Sequence, residues 1–117
     1  MEYRYVKLET FVPESHADAV LAALWKAGAG RVGDGAYDSC AATSRVTGHW
    51  RPLSGSHPFI GHEGEISNAP EVKIEVTVAT ELLDASVAAL RAAHPYEEPV
   101  VYAMPLLAAA TAPQAGL

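Results

Sequence analysis

The segment HPYEEP, residues 94–99, places a tyrosine and two adjacent glutamates between two prolines, with a histidine directly before the first proline. Imidazole nitrogen and carboxylate oxygen can bind a divalent metal, and the same groups can serve as a general acid and base. In an extended segment adjacent side chains point to opposite sides, so only one glutamate is expected to face a cleft. We predict a structural corner that also forms one wall of a binding site. Its candidate ligand-binding residues are His94, Tyr96, Glu97 and Glu98.

A second set of polar residues surrounds the segment GHWRPLSGSHPFIG, residues 48–61. Arg51 carries a planar guanidinium that can bind a phosphate or a carboxylate. Asp38 is expected in the middle of a strand, where it would bond loop backbone or Arg51. The glycines lack the spacing of a nucleotide-binding loop, so the segment could instead be an ordered crossover. Asp38 and Arg51 are therefore candidates for binding a small anionic ligand.

A divalent-metal site is the alternative interpretation of the same region. Its candidate ligands are His57, His62 and His94, with zinc or a similar ion as the cofactor. None of these histidines has the i, i+4 helical spacing of the strong metal-binding motifs. His94 follows a helical pattern, and the dipole at a helix C-terminus would favour its protonated form.

The sequence offers no set of residues for nucleophilic catalysis. Cys40 is expected to be a small strand residue that packs under the loop, and no Gly-x-Ser-x-Gly elbow is present. A nucleophile, a base and an orienting group cannot be assembled from the remaining residues. We therefore expect a non-enzymatic protein.

Composition excludes several classes of partner. The 117-residue chain has a net charge of -6 and no basic cluster, which argues against nucleic acid and against an anionic membrane surface. One cysteine excludes an intrachain disulfide, and no apolar run has the length of a membrane span. The N-terminus shows no apolar signal segment, so a cytoplasmic location is expected.

An internal repeat predicts the elements that must position these side chains. Residues 6–28 and 72–94, offset by 66, are identical at ten positions, and each copy changes from strand alternation to helical spacing. Extended patterns follow each helix at 37–50 and 99–106. The expected fold is α+β and ferredoxin-like, βαβ-βαβ, with a four-stranded antiparallel sheet and two helices on one face. It forms a single domain over 1–106, with a flexible tail over 107–117.

The predicted sheet leaves one face without helices. The helices cover Val6, Leu8 and their counterparts in the second copy. The other face carries charged and aromatic side chains on the two central strands, namely Tyr5, Lys7, Glu9, Phe11, Lys73, Glu75 and Thr77. A half-covered sheet in a small domain commonly finds a partner, so an oligomer is expected.

Four segments, YDSC (37–40), TGHWRPLSGSHPFIG (47–61), EVKIEV (71–76) and AAHPYEEP (92–99), resemble the motifs of the YqfO family. These are PII/CutA-like domains that also occur as an insert in the Nif-three-like dimetal proteins. The resemblance extends from Tyr3 to Leu106, with a tryptophan in place of the family's phenylalanine before Arg51. It implies a homotrimer with ligand sites in the clefts between subunits.

The resemblance also limits what can be transferred. The resemblance implies that the dimetal site of the Nif-three-like proteins lies in their other domain, outside these 117 residues. The expected function is thus a trimeric binding or regulatory module with an unknown ligand. The alternatives are a divalent-metal-binding protein and a purely structural oligomerisation domain.

Overall fold

The computed structural model describes residues 3–31 and 35–107. Its elements, in chain order, are β1 (Tyr5–Pro13), a 3-10 turn (Glu14–His16), α1 (Ala17–Lys26), β2 (Ala42–Trp50), β3 (Ser67–Ala79), a second 3-10 turn (Thr80–Leu82), α2 (Leu83–Ala93) and β4 (Val101–Pro105). Among these residues no helix is both long and apolar enough to cross a membrane. The tail predicted over 107–117 lies outside the described residues, apart from Leu107.

The four strands form one antiparallel sheet in the order β2-β3-β1-β4. The two repeated strands, β1 and β3, are the central neighbours, with Val6 opposite Val78 and Val12 opposite Val72. The ferredoxin-like fold expected from the repeat is confirmed.

The core lies between the sheet and the two helices. Alternate residues of β1 and β3 point towards the helices because side chains of a strand alternate between its faces. The buried apolar side chains are Val6, Leu8, Val12, Ala17, Val20, Leu24, Ala29, Ile74, Val76, Val78 and Leu90. This confirms which face of the sheet the helices cover.

The opposite face, here called the open face, carries an ion-paired cluster. Lys7 Nζ lies 3.1 Å from Glu9 Oε2 and also pairs with Glu75, while Lys73 Nζ lies 3.5 Å from Glu9 Oε1. Hydrogen bonding to Lys7 lowers the pKa of the Glu75 carboxyl. Two lysines and two glutamates thus compensate one another across the two central strands.

Two sequence predictions about element boundaries are wrong. β2 begins at Ala42 rather than at Tyr37, so Asp38 and Cys40 lie in a loop. Ser39, between them, has φ 55°, which interrupts an extended chain. The last strand covers 101–105 and is shorter than the predicted 99–106.

Ser86 lies in α2 with its side chain fully buried, and its hydroxyl has no hydrogen-bond partner among the described residues. Since an unpaired buried hydroxyl is costly and alanine favours helix, Ser86→Ala is expected to stabilise the protein by about 1 kcal/mol. Urea unfolding of both proteins measures this. The exposed Ser15, whose hydroxyl contacts His16 Nδ1, provides the control Ser15→Ala, expected to change stability by less than about 0.5 kcal/mol. A destabilised Ser86→Ala variant would contradict the prediction.

Candidate binding site

The hairpin of β2 and β3 extends past the rest of the sheet. β3 has 13 residues, but only its residues from Glu71 onwards pair with β1, while Ser67 to Pro70 pair with β2 alone. The segment 51–66 connects the two strands at this end. The residues between Trp50 and Ser67 are therefore carried beyond the central strands.

A groove of about 710 Å³ lies between this hairpin and the chain that enters β4. Five aromatic side chains contribute to its lining: Phe11, Trp50, Phe59, Tyr96 and Tyr102. Tyr102 lies opposite Glu9 in the β1–β4 register, so this end of the groove is continuous with the open face. The volume is within the range of small-molecule sites.

Specific hydrogen bonds order the 51–66 segment. Trp50 Nε1 donates to the carbonyl of Ile60 at 3.1 Å, and the Gly64 amide donates to the carbonyl of Pro52 at 2.7 Å. The His57 amide donates to Glu97 Oε1 at 2.8 Å. The loop and the HPYEEP segment are therefore joined directly through the Glu97 carboxylate.

His94 holds the corner between α2 and β4. Its side chain is buried, with Nε2 2.8 Å from the carbonyl of Phe11 and Nδ1 3.1 Å from the amide nitrogen of Tyr96. A carbonyl only accepts and an amide only donates, so Nε2 carries the proton and Nδ1 accepts. Burial lowers the pKa of His94. Desolvation, together with an Nδ1 that accepts from the Tyr96 amide, opposes the protonated form that the helix dipole was expected to favour.

Tyr96 packs at the centre of an aromatic cluster. Its ring centroid lies 4.8 Å from that of His94, 6.0 Å from Trp50 and 6.2 Å from Phe59. Its hydroxyl donates to Glu71 Oε2 at 2.7 Å. Burial and this carboxylate raise the pKa of Tyr96, so the phenol keeps its proton at neutral pH.

Glu71 is the site residue that the sequence did not indicate. It is only 5% exposed, although its side chain lies on the same face of β3 as Lys73 and Glu75. Gly48 makes this burial possible, because a Cβ at position 48 would overlap the Glu71 carboxylate. A glutamate in a strand that alternates polar and apolar residues is ordinarily a solvated one, so no local signal distinguishes it.

Four of the predicted ligand-binding residues border the groove: Arg51, Tyr96, Glu97 and Glu98. The chain bends at 96–98 instead of being extended there, and both glutamates border the groove. His94 lies behind Tyr96 and supports it. The guanidinium of Arg51 has no ion-pair partner in the described part of the chain.

Asp38 is remote from this group. It precedes β2 while Arg51 follows it, so roughly 25 Å of extended strand separates them. Asp38 Oδ1 instead accepts a hydrogen bond from Ser39 Oγ at 3.0 Å. The prediction that Asp38 bonds Arg51 of the same chain is therefore wrong.

The candidate metal ligands are not assembled within one chain. No three His, Cys, Asp or Glu side chains in residues 3–31 and 35–107 are grouped so that they could hold a metal ion. Both ring nitrogens of His94 already take part in hydrogen bonds. A metal at His57, His62 and His94 remains a prediction from the sequence.

Known proteins resemble this chain in sequence over most of its length. No protein-family model matches it. It is 43% identical over 100 residues to the GTP cyclohydrolase 1 type 2 homolog of Halalkalibacterium halodurans, covering 86% of this chain and 26% of that protein. The Bacillus subtilis protein of the same name is 40% identical over 92 residues, covering 79% and 24%. The chain therefore spans about a quarter of the length of these relatives.

Comparison with solved structures also finds a NIF3-related protein, together with CutA proteins. The Bacillus cereus protein related to NIF3 superposes with a TM-score of 0.76 at 35% identity, covering 89% of this chain and 26% of that one. CutA1 from Ehrlichia chaffeensis has a TM-score of 0.64 at 20% identity, covering 93% and 87%, which shows a shared fold. The chain therefore belongs to the YqfO/NIF3 family and has a PII/CutA-like fold.

Proposed function

We propose that this chain is an oligomeric binding module, a homotrimer, whose ligand site is the groove at the edge of the open face. The observation that carries the proposal is the groove itself, an aromatic-lined cleft of about 710 Å³ on the sheet face that neither α1 nor α2 covers. The trimer follows the resemblance to PII and CutA proteins, in which ligand sites lie between subunits.

The open face has the composition of a surface that a second copy can cover. Tyr102 and Met104 are 54% and 37% exposed, and they lie opposite Glu9 and Lys7 on the same face. The ion-paired cluster beside them is balanced in charge, so covering it leaves no net charge to compensate. Exposed apolar side chains beside a balanced polar patch favour association with a protein surface over permanent exposure to water.

The groove is suited to binding rather than to catalysis. Its half-buried Tyr96 holds its proton, and both ring nitrogens of His94 behind it take part in hydrogen bonds. Glu97 accepts a backbone amide, so it serves to order the loop. The name of the sequence relatives refers to proteins about four times as long, and we propose no cyclohydrolase activity for this domain.

We expect the wild-type chain to have about three times its 12.3 kDa monomer mass at micromolar concentration. Replacing Tyr102 by glutamate is expected to dissociate it, because the carboxylate would be buried in an apolar interface at a cost of several kcal/mol. Size-exclusion chromatography with light scattering measures both masses.

Ala22→Glu supplies the matched control, since Ala22 is exposed on α1, away from the open face. This variant should retain the oligomer mass. A monomeric wild-type protein, or equal dissociation of both variants, would contradict the proposal.

A further inference from the structure

Glu71 is a buried carboxylate in the groove lining, and no cation among the described residues pairs with it. It is 5% exposed and lies in the lining of the groove. Oε2 accepts the hydrogen bond from Tyr96, whereas no described residue donates to Oε1 or forms an ion pair with this carboxylate. Burying a charged group with one neutral donor is unfavourable, so a further donor from a ligand would stabilise it.

Two other charged residues around the groove have the same sign as Glu71. Glu97 and Glu98 border the groove, and Arg51 is the cation among the described residues of the lining. Among the described residues the lining therefore contains three carboxylates and one guanidinium. This balance favours a positively charged ligand over the small anion expected from Arg51 alone.

The aromatic lining adds a second reason for a cation. The faces of Trp, Tyr and Phe rings attract ammonium and guanidinium groups, and the attraction grows when the site excludes water. Trp50, Phe59 and Tyr96 form one connected cluster at the groove. A metal ion would need several oxygen or nitrogen ligands at one point, and the described residues offer no such group.

We propose that the groove binds a small organic cation of the amidinium, guanidinium or ammonium class. One of its N–H groups donates to Glu71 Oε1, and its body packs against the aromatic cluster. The carboxylates of Glu97 and Glu98 add attraction at the rim. This inference rests on the proposed function, because it specifies the ligand class of the same groove.

Three probes of one shape and different charge test the proposal: benzamidinium, benzamide and benzoate. Each is titrated into the full chain and followed by the indole N–H resonance of Trp50 in NMR spectra, assigned with Trp50→Phe. We expect benzamidinium to bind saturably and at least ten-fold more tightly than benzamide, with benzoate the weakest. Ten-fold corresponds to about 1.4 kcal/mol.

Two substitutions test whether Glu71 and Arg51 determine benzamidinium binding. Glu71→Gln keeps an acceptor for Tyr96 but removes the charge, and we expect a loss of at least ten-fold in benzamidinium affinity with benzamide unchanged. Glu63→Gln is the control, because Glu63 is exposed and outside the groove lining. If Glu71→Gln fails to fold, Arg51→Gln is used instead. Removing that cation should strengthen benzamidinium binding about two- to three-fold.

The possible results separate this inference from the proposed function. Tighter binding of benzoate than of benzamidinium would overturn the cation assignment and leave the groove as a binding site. Wild-type affinity in Glu71→Gln, or unchanged affinity in Arg51→Gln, would likewise overturn it. Absence of saturable binding by all three probes to an oligomeric protein would overturn this inference, whereas a monomer in light scattering would count against the proposed function.

Discussion

Replacing His94 by leucine is expected to lower the free energy of unfolding by about 3 kcal/mol. The imidazole donates to the carbonyl of Phe11 and accepts the amide of Tyr96, and both partners are backbone groups at a buried corner. Leucine fills a similar volume but leaves both groups without a partner, at about 1–3 kcal/mol each. Urea unfolding monitored by circular dichroism measures the change.

Two variants distinguish lost hydrogen bonds from lost volume. His94→Gln can still donate to Phe11, so it should recover part of the stability that leucine loses. His62→Leu removes an exposed histidine and should change stability by less than about 0.5 kcal/mol. Equal stability of the leucine variant and the wild-type protein would contradict the assigned role.

The same histidine gives the protein a defined response to acid. Burial lowers the pKa of His94 below its ordinary value of 6.5, while its neighbour Glu71 raises the pKa and His16 lowers it. Below pH 6.5 the unfolded chain binds a proton that the folded chain does not, so stability falls as pH decreases. Above pH 6.5 the contribution is fully present.

Denaturation of wild-type protein and His94→Gln between pH 5 and 8 isolates this contribution. The wild-type curve is expected to be steeper below pH 6.5, by at most about 1.4 kcal/mol per pH unit. Parallel curves for the two proteins would contradict a buried neutral histidine.

Replacing Gly30 by alanine is expected to destabilise the protein by about 4 kcal/mol, near the upper end for a single substitution. Gly30 has φ 83°, a left-handed conformation that costs a residue with a side chain about 1–2 kcal/mol. A Cβ there would overlap the carbonyl oxygen of Cys40 and lie 3.1 Å from its amide nitrogen. These are backbone atoms, so they cannot move away as the end of a side chain can.

Gly30 also connects three parts of the chain. Its amide donates to the carbonyl of Thr77 and its carbonyl accepts the amide of Cys40, both at 2.9 Å. A shift that relieves the overlap would therefore lengthen bonds to β3 and to the loop before β2. Thermal unfolding measures the loss of stability.

Gly55→Ala separates backbone strain from overlap. Gly55 has φ 89°, close to that of Gly30, but a Cβ at this position would meet no atom within 4 Å. This variant should lose only about 1–2 kcal/mol. A loss as large as that of Gly30→Ala would show that the left-handed conformation alone accounts for the effect.

The predicted topology was correct because two independent patterns agreed. The 66-residue offset pairs each strand–helix copy with the other, and the strand alternation selects which face the helices cover. The predicted start of β2 was wrong. The residues from Tyr37 to Cys40 have a strand-like pattern, but Ser39 adopts a positive φ that interrupts an extended chain. A turn in a single non-glycine residue leaves little trace in a pattern of polar and apolar residues.

The structure brings part of the predicted set of residues together. Arg51, Tyr96, Glu97 and Glu98 border the groove, whereas Asp38 lies at the other end of β2. Asp38 could be placed correctly only if the start of β2 was known, and the pattern of residue types did not indicate that start.

The sequence by itself determined the order of strands and helices, the buried face and the open face, because these depend on periodicities of two and 3.6 residues. Only the tertiary structure decided the chemistry of the groove. Its main contacts join residues far apart in the chain: His94 with Phe11 across 83 positions, His57 with Glu97 across 40 and Tyr96 with Glu71 across 25. Periodicity indicates which residues face the core, but it carries no information about which polar groups contact one another. Those contacts bury Glu71 and His94, and burial lowers the pKa of His94.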